Sequence, residues 1–117
     1  ARTLALQGAD SIAHPSNLVL PHCPQALITR CLENRVYAVT SDRVGTEKRA
    51  LGETLKFIGQ SQIVDPDGTV LVRASEDREE AHVVEINIER ARNKQINSHN
   101  DLFADRREDL YRVDGKG

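Results

Sequence analysis

Residues 11–45, SIAHPSNLVLPHCPQALITRCLENRVYAVTSDRVG, limit the possible folds more than any other part of this chain. Ser11, Ile12 and Ala13 form a short apolar run that meets His14, Pro15, Ser16 and Asn17. Pro15 keeps His14 extended, because the ring disfavours helix at the residue before it. Leu18, Val19 and Leu20 lie between Pro15 and Pro21 and read as the wall of a loop. Pro24 suits the first turn of a helix, and Leu27, Ile28, Cys31 and Leu32 then recur along one helical face up to Asn34. Val36, Tyr37, Ala38, Val39 and Thr40 are β-rich and run into Ser41, Asp42 and Arg43. Strand, helix and strand in that order predict a βαβ unit and an α/β fold class. Ligands in such folds sit beyond the carboxyl ends of the strands. Pro15, Ser16 and Asn17 are therefore expected beside Ser41, Asp42 and Arg43 at one rim of a sheet.

The flanking segments add to this unit. Residues 3–9 read as the tail of a helix closed by Gly8, with no N-cap before it, as truncation would leave it. Residues 43–53 are polar and are expected to form a surface loop. Asp65-Pro66-Asp67-Gly68 is a turn signal between two apolar runs, which predicts a β-hairpin. Residues 82–88, HVVEINI, predict a further strand, passing into a short helix near Glu89. Residues 97–107 are polar and poorly periodic, with Phe103, Leu110 and Tyr111 as spaced apolar anchors. Residues 113–117 are expected to be a disordered tail.

Composition narrows the function classes. A length of 117 residues allows one domain at most. Charged residues make up 29% of the chain, yet the formal net charge is only −2, so neither a nucleic acid nor an anionic membrane is implied as a partner. No apolar run reaches the length of a membrane span and the start has no signal-peptide pattern, so a cytoplasmic location is the expectation. Two cysteines, Cys23 and Cys31, suggest reduced thiols and not a disulfide framework.

Several chemistries can be weighed against plainer readings. His14, His22, Cys23 and Cys31 fit no metal-ligand spacing. Ser16 or Ser41 with a histidine lacks the strand–G-x-S-x-G–helix elbow of a hydrolase triad. Gly45 and Gly52 open no phosphate-binding helix. Asn17 is the strongest candidate, because its amide both donates and accepts at the expected ligand rim. The alternative for Asn17 is a turn-capping residue that only shapes the loop.

The ordered set HPSNLVLP, LENRVYAVT, DRVG, LKFIGQSQIVDPDG, ARNKQIN, NDLF and DRR resembles the C-terminal part of nitrilase-superfamily carbon–nitrogen hydrolases, nearest to the nitrilase and aliphatic-amidase-like members. The resemblance implies the C-terminal half of a four-layer α-β-β-α sandwich, with residues 1–117 as a partial domain. It implies hydrolysis of a small nitrile or amide to an acid and ammonia through a Cys thioester-type intermediate. The catalytic Glu, Lys and Cys would lie upstream of this chain, with no metal or organic cofactor. Asn17, with Ser16 and Pro15, matches the substrate-binding loop, and the isolated chain is expected to be inactive. Glu33 matches a position more readily structural than catalytic, and Asp42 stands where many members have Asn, which puts in doubt any hydrogen bond that needed a donor there. A homo-oligomer joined through helix faces and the C-terminal tail is also implied. The alternative is a non-catalytic, stand-alone remnant acting as a binding or oligomerisation module.

Overall fold

The computed structural model describes residues 1–111. In chain order the elements are α1 (Arg2–Leu6), β1 (Ser11–Ser16), α2 (Cys23–Asn34), β2 (Tyr37–Asp42), β3 (Thr46–Lys48), β4 (Thr54–Lys56), β5 (Gln62–Val64), β6 (Val70–Arg73), α3 (Glu89–Arg92), β7 (Gln95–Asn97) and β8 (Asn100–Asp101). The main sheet has the order β1-β2-β5-β6. Strands β1 and β2 are parallel, from Ser11 opposite Tyr37 to Ser16 opposite Asp42. The crossover between them is α2, so the expected βαβ unit is present. Strand β5 is antiparallel to β2, and β6 is antiparallel to β5.

Strand β1 is longer than its apolar run, because it continues through His14, Pro15 and Ser16. Pro15 therefore sits in a strand and not in the expected loop. Proline lacks an N–H, which is tolerated because β1 is an edge strand. In α2, Cys31 is buried against Ala38 and Val64, with Ile28 and Val70 packed around them. Leu32 does not complete that face, since half of its surface is exposed, at 51%. Gln62 is the buried polar link between α2 and the sheet. Its Nε2 donates to the Pro24 carbonyl at 2.8 Å, and its Oε1 accepts from Arg73 Nη2 at 2.8 Å.

The Asp65–Gly68 turn joins β5 and β6 as expected. Asp65 Oδ1 accepts from the Asp67 and Thr69 N–H groups, and Gly68 has φ +77°. Arg90 of α3 pairs with Asp65 at 3.0 Å and also with Asp67, while Arg35 reaches Asp67 at 3.0 Å. The Arg35 hydrogen bond is the main cause that holds the Asp67 carboxyl below the usual carboxylate range. These contacts tie the end of α2, the hairpin turn and α3 together.

Three further expectations differ from the structure. Residues 43–53 are not one loop, because β3 and β4 form an exposed antiparallel hairpin. Charged residues on both of its faces hide the strand period. Residues 82–88 are not a strand. A strand needs a ladder partner, and among the described residues none runs beside this segment. Residues 97–107 contain part of the small β7–β8 hairpin. The expected tail at 113–117 lies outside the described residues.

Candidate active-site rim

Strands β1 and β2 end side by side, so the two candidate triplets are neighbours, as the βαβ reading requires. The Arg43 N–H donates to the Ser16 carbonyl at 3.2 Å. The chain leaving β1 is then held from two sides. The Leu18 N–H donates to Asp42 Oδ1 at 2.8 Å, and the Leu18 carbonyl accepts from the Ile58 N–H at 2.9 Å. Asp42 is held in turn by Ser61. Its N–H donates to Ser61 Oγ at 2.9 Å, and Ser61 Oγ donates to its carbonyl at 3.3 Å.

Pro15, Ser16 and Asn17 share this strand end but not one face. Successive strand residues point to opposite sides. Pro15 is exposed on the side away from α2, along with Ala13. Ser16 is half-buried on the other side, where its hydroxyl donates to the His14 carbonyl at 3.2 Å. His14 Nδ1 lies 3.2 Å from Thr40 Oγ1. Asn17 is exposed and makes no hydrogen bond among the described residues, so the loop is capped by Asp42 instead.

A groove of about 460 Å³ opens at the end of β2, lined in part by Ser41, Asp42, Arg43, Ser61 and Glu80, and Pro15, Ser16 and Asn17 are not among its lining residues. Hydrogen bonds from the Ser75 hydroxyl and amide hold the Glu80 carboxyl below the usual carboxylate range. Among the described residues, Asp42 Oδ2 and Asn34 Oδ1 are buried without a hydrogen-bond partner, an arrangement that costs about 1–3 kcal/mol for a typical polar group.

The other candidates lie elsewhere. Cys31 is 1% exposed, and burial, followed by the nearby Asp65 charge, pushes its thiol up to about 12. A nucleophilic cysteine needs its thiolate near neutral pH, so Cys31 is unsuited to that role. Among the described residues, no group of three or more His, Cys, Asp or Glu side chains could hold a metal ion. Glu33 pairs with Arg30 at 2.6 Å, and its carbonyl accepts from Arg2 Nη2 at 2.5 Å, which fastens α1 to α2. Asp42 as an anchor of the loop escapes sequence reading, since its partner is 24 residues away in an apolar word. The only sequence signal at the position is a carboxylate where an amide is expected.

Residues 1–95 match the model of the family described as carbon-nitrogen hydrolase. The chain is 57% identical over 111 residues to a nitrilase of Pyrococcus abyssi, covering 95% of this chain and 40% of that protein. It is 37% identical over 92 residues to an (R)-stereoselective amidase of a Pseudomonas species, covering 76% of this chain and 32% of that protein. The crystal structure of a carbon-nitrogen hydrolase from Helicobacter pylori superposes with a TM-score of 0.75 at 27% identity, over 92% of this chain and 41% of that one. This chain thus spans two fifths or less of the length of these curated relatives. The packing of helix on mixed sheet is α/β, of the nitrilase-type sandwich class. By sequence and by fold, the chain belongs to the carbon–nitrogen hydrolase family of the nitrilase superfamily.

Proposed function

We propose that this chain forms the C-terminal part of a hydrolase that converts a small nitrile or amide to an acid and ammonia. The observation that carries this reading is the match at 57% identity, over nearly the whole chain, to only 40% of a nitrilase. In the proposal, a cysteine thiolate outside residues 1–117 attacks the nitrile or amide carbon. A Lys stabilises the charge that develops, and a Glu moves the protons. A thioester-type intermediate is then hydrolysed. Residues 1–117 supply one wall of the pocket and part of the sandwich. Asn17 holds the substrate at the rim, with Ser16 and Pro15 shaping the strand end beneath it. Its exposed amide, free of hydrogen bonds among the described residues, supports this role. The reading also carries a cytoplasmic setting and a homo-oligomer that meets through helix faces. The half-exposed Leu4 on α1 and Leu32 on α2 support the oligomer.

The test is an assay of ammonia release from simple amides and nitriles. A family-length enzyme carrying this segment is expected to be active, and its Asn17→Ala variant to have a raised KM. The chain of residues 1–117 alone is expected to show no turnover above background, because the Cys, Lys and Glu of this reading lie outside it and the buried Cys31 thiol is held protonated. Hydrolysis at enzymatic rates by the isolated chain would overturn that assignment of the catalytic groups.

A further inference from the structure

We propose that Asp42 is the positioning residue of the substrate loop, holding Asn17 in place through the Leu18 amide. The proposal rests on the reading above that Asn17 holds the substrate.

Asn17 lies between two pinned residues. On one side the Ser16 carbonyl accepts from Arg43 N–H at 3.2 Å. On the other, Leu18 donates to Asp42 Oδ1 at 2.8 Å. Only the second of these anchors is a side chain, so only it depends on the residue type. Asp42 is itself fixed by two hydrogen bonds to Ser61, at 2.9 and 3.3 Å. The order of support runs from Ser61 to Asp42, from Asp42 to Leu18, and from Leu18 to Asn17. A loop polar group is useful for binding when its backbone is held before the ligand arrives. Here the structure holds the backbone on both sides of Asn17 and leaves its side chain unengaged among the described residues.

The carboxylate uses a single oxygen in this role. Oδ1 takes the Leu18 N–H, while Oδ2 is buried and has no hydrogen-bond partner among the described residues. An asparagine at residue 42 retains the Oδ1 acceptor and removes the charge. The role therefore belongs to the acceptor oxygen, and the amide is its conservative replacement. Leucine fills similar space without an acceptor.

The first test is amide hydrogen exchange on residues 1–117, comparing the wild type with Asp42→Asn and Asp42→Leu. Asp42→Leu is expected to speed exchange at Leu18 about tenfold, as the loss of one hydrogen bond implies. Protection at Ala38 and Val64, in the core, is expected to be unchanged. Asp42→Asn is expected to keep the protection of Leu18. Unchanged Leu18 exchange in Asp42→Leu, with the core protected, would overturn the tether, as would loss of Leu18 protection in Asp42→Asn. Should Asp42→Leu lose core protection, the asparagine variant alone decides. The second test uses a family-length enzyme carrying this segment. Asp42→Leu is expected to raise KM for a small amide about tenfold with kcat within about threefold, and Asp42→Asn to restore KM. An equal fall in kcat with no change in KM would remove the positioning role. An inactive wild-type enzyme would overturn the hydrolase reading, and the exchange result would still decide the tether.

Discussion

Cys31 carries a charge-dependent part of the stability. Its thiol is buried against Ala38 and Val64, and burial pushes its ionisation up to about 12. In the unfolded chain the same thiol ionises near its ordinary value of 9.0. The folded state thus keeps the proton that the unfolded state gives up as pH rises. Stability from this residue is fully present below pH 9.0 and is lost as pH climbs toward 12. At one unit above the unfolded value the loss is about 1.4 kcal/mol. Urea unfolding of the wild type at pH 8 and pH 10 is expected to show a drop larger by about that amount than in Cys31→Ala. The alanine variant is less stable at both pH values but lacks this titration. Equal pH dependence in the two proteins would show that the thiol ionises in the fold as freely as in the open chain.

At the scale of elements, Gly59 is the joint that lets β5 follow the β3–β4 hairpin. Its φ is +60°, and a Cβ there would lie 2.6 Å from the Glu76 carbonyl oxygen and 2.8 Å from that of Ser75. Both neighbours are backbone, so neither can rotate away. Gly59→Ala combines a left-handed conformation with a steric clash and is expected to cost about 3 kcal/mol, measured by urea unfolding. The substitution also displaces the segment that brings Ser61 to Asp42, so Leu18 exchange is expected to rise with it. What the sequence discloses about these elements follows the range of the interactions. The βαβ unit and the Asp65–Gly68 hairpin are written in short words, with a proline, a glycine or an apolar face at fixed spacing. The β3–β4 hairpin is exposed except at the half-buried Leu55, and its residues carry no apolar period. Residues 82–88 have the composition of a strand without its hydrogen bonds, because composition cannot supply the neighbouring strand. The rim was legible as a place, from the ends of β1 and β2. The tether from Asp42 to Leu18 was not, because it depends on a side chain and an amide that meet only after the crossover has folded.

As a whole molecule, the chain is a slab. Its principal extents are 52 × 36 × 18 Å and its radius of gyration is 16.8 Å, against about 13 Å for a compact domain of this length. The thin dimension is that of a helix layer on a sheet. Helix α2 covers one face of the sheet, and much of the other face stays open, with Ala13, Pro15 and Val39 exposed on it. The extended segment before α3 adds Val83, at 98% exposure, and Ile86. An apolar sheet face and an unpaired β-prone segment both favour association. Sedimentation velocity on residues 1–117 is therefore expected to show association that grows with concentration. In residues 1–117 taken alone, two surfaces compete for the contact: the open sheet side, and the helix side with its half-exposed Leu32, which is the face proposed above for the oligomer of the family-length enzyme. The sheet side has both the apolar residues and the free backbone groups, so Val39→Asp with Val83→Asp is expected to shift the chain toward monomer, and Leu32→Asp to change it little. The opposite result would place the contact on the helices. A monomer at all concentrations would mean that the extended segment shields the sheet by itself, with the Tyr37 hydroxyl bond to the Asn87 carbonyl at 2.9 Å as its fastening.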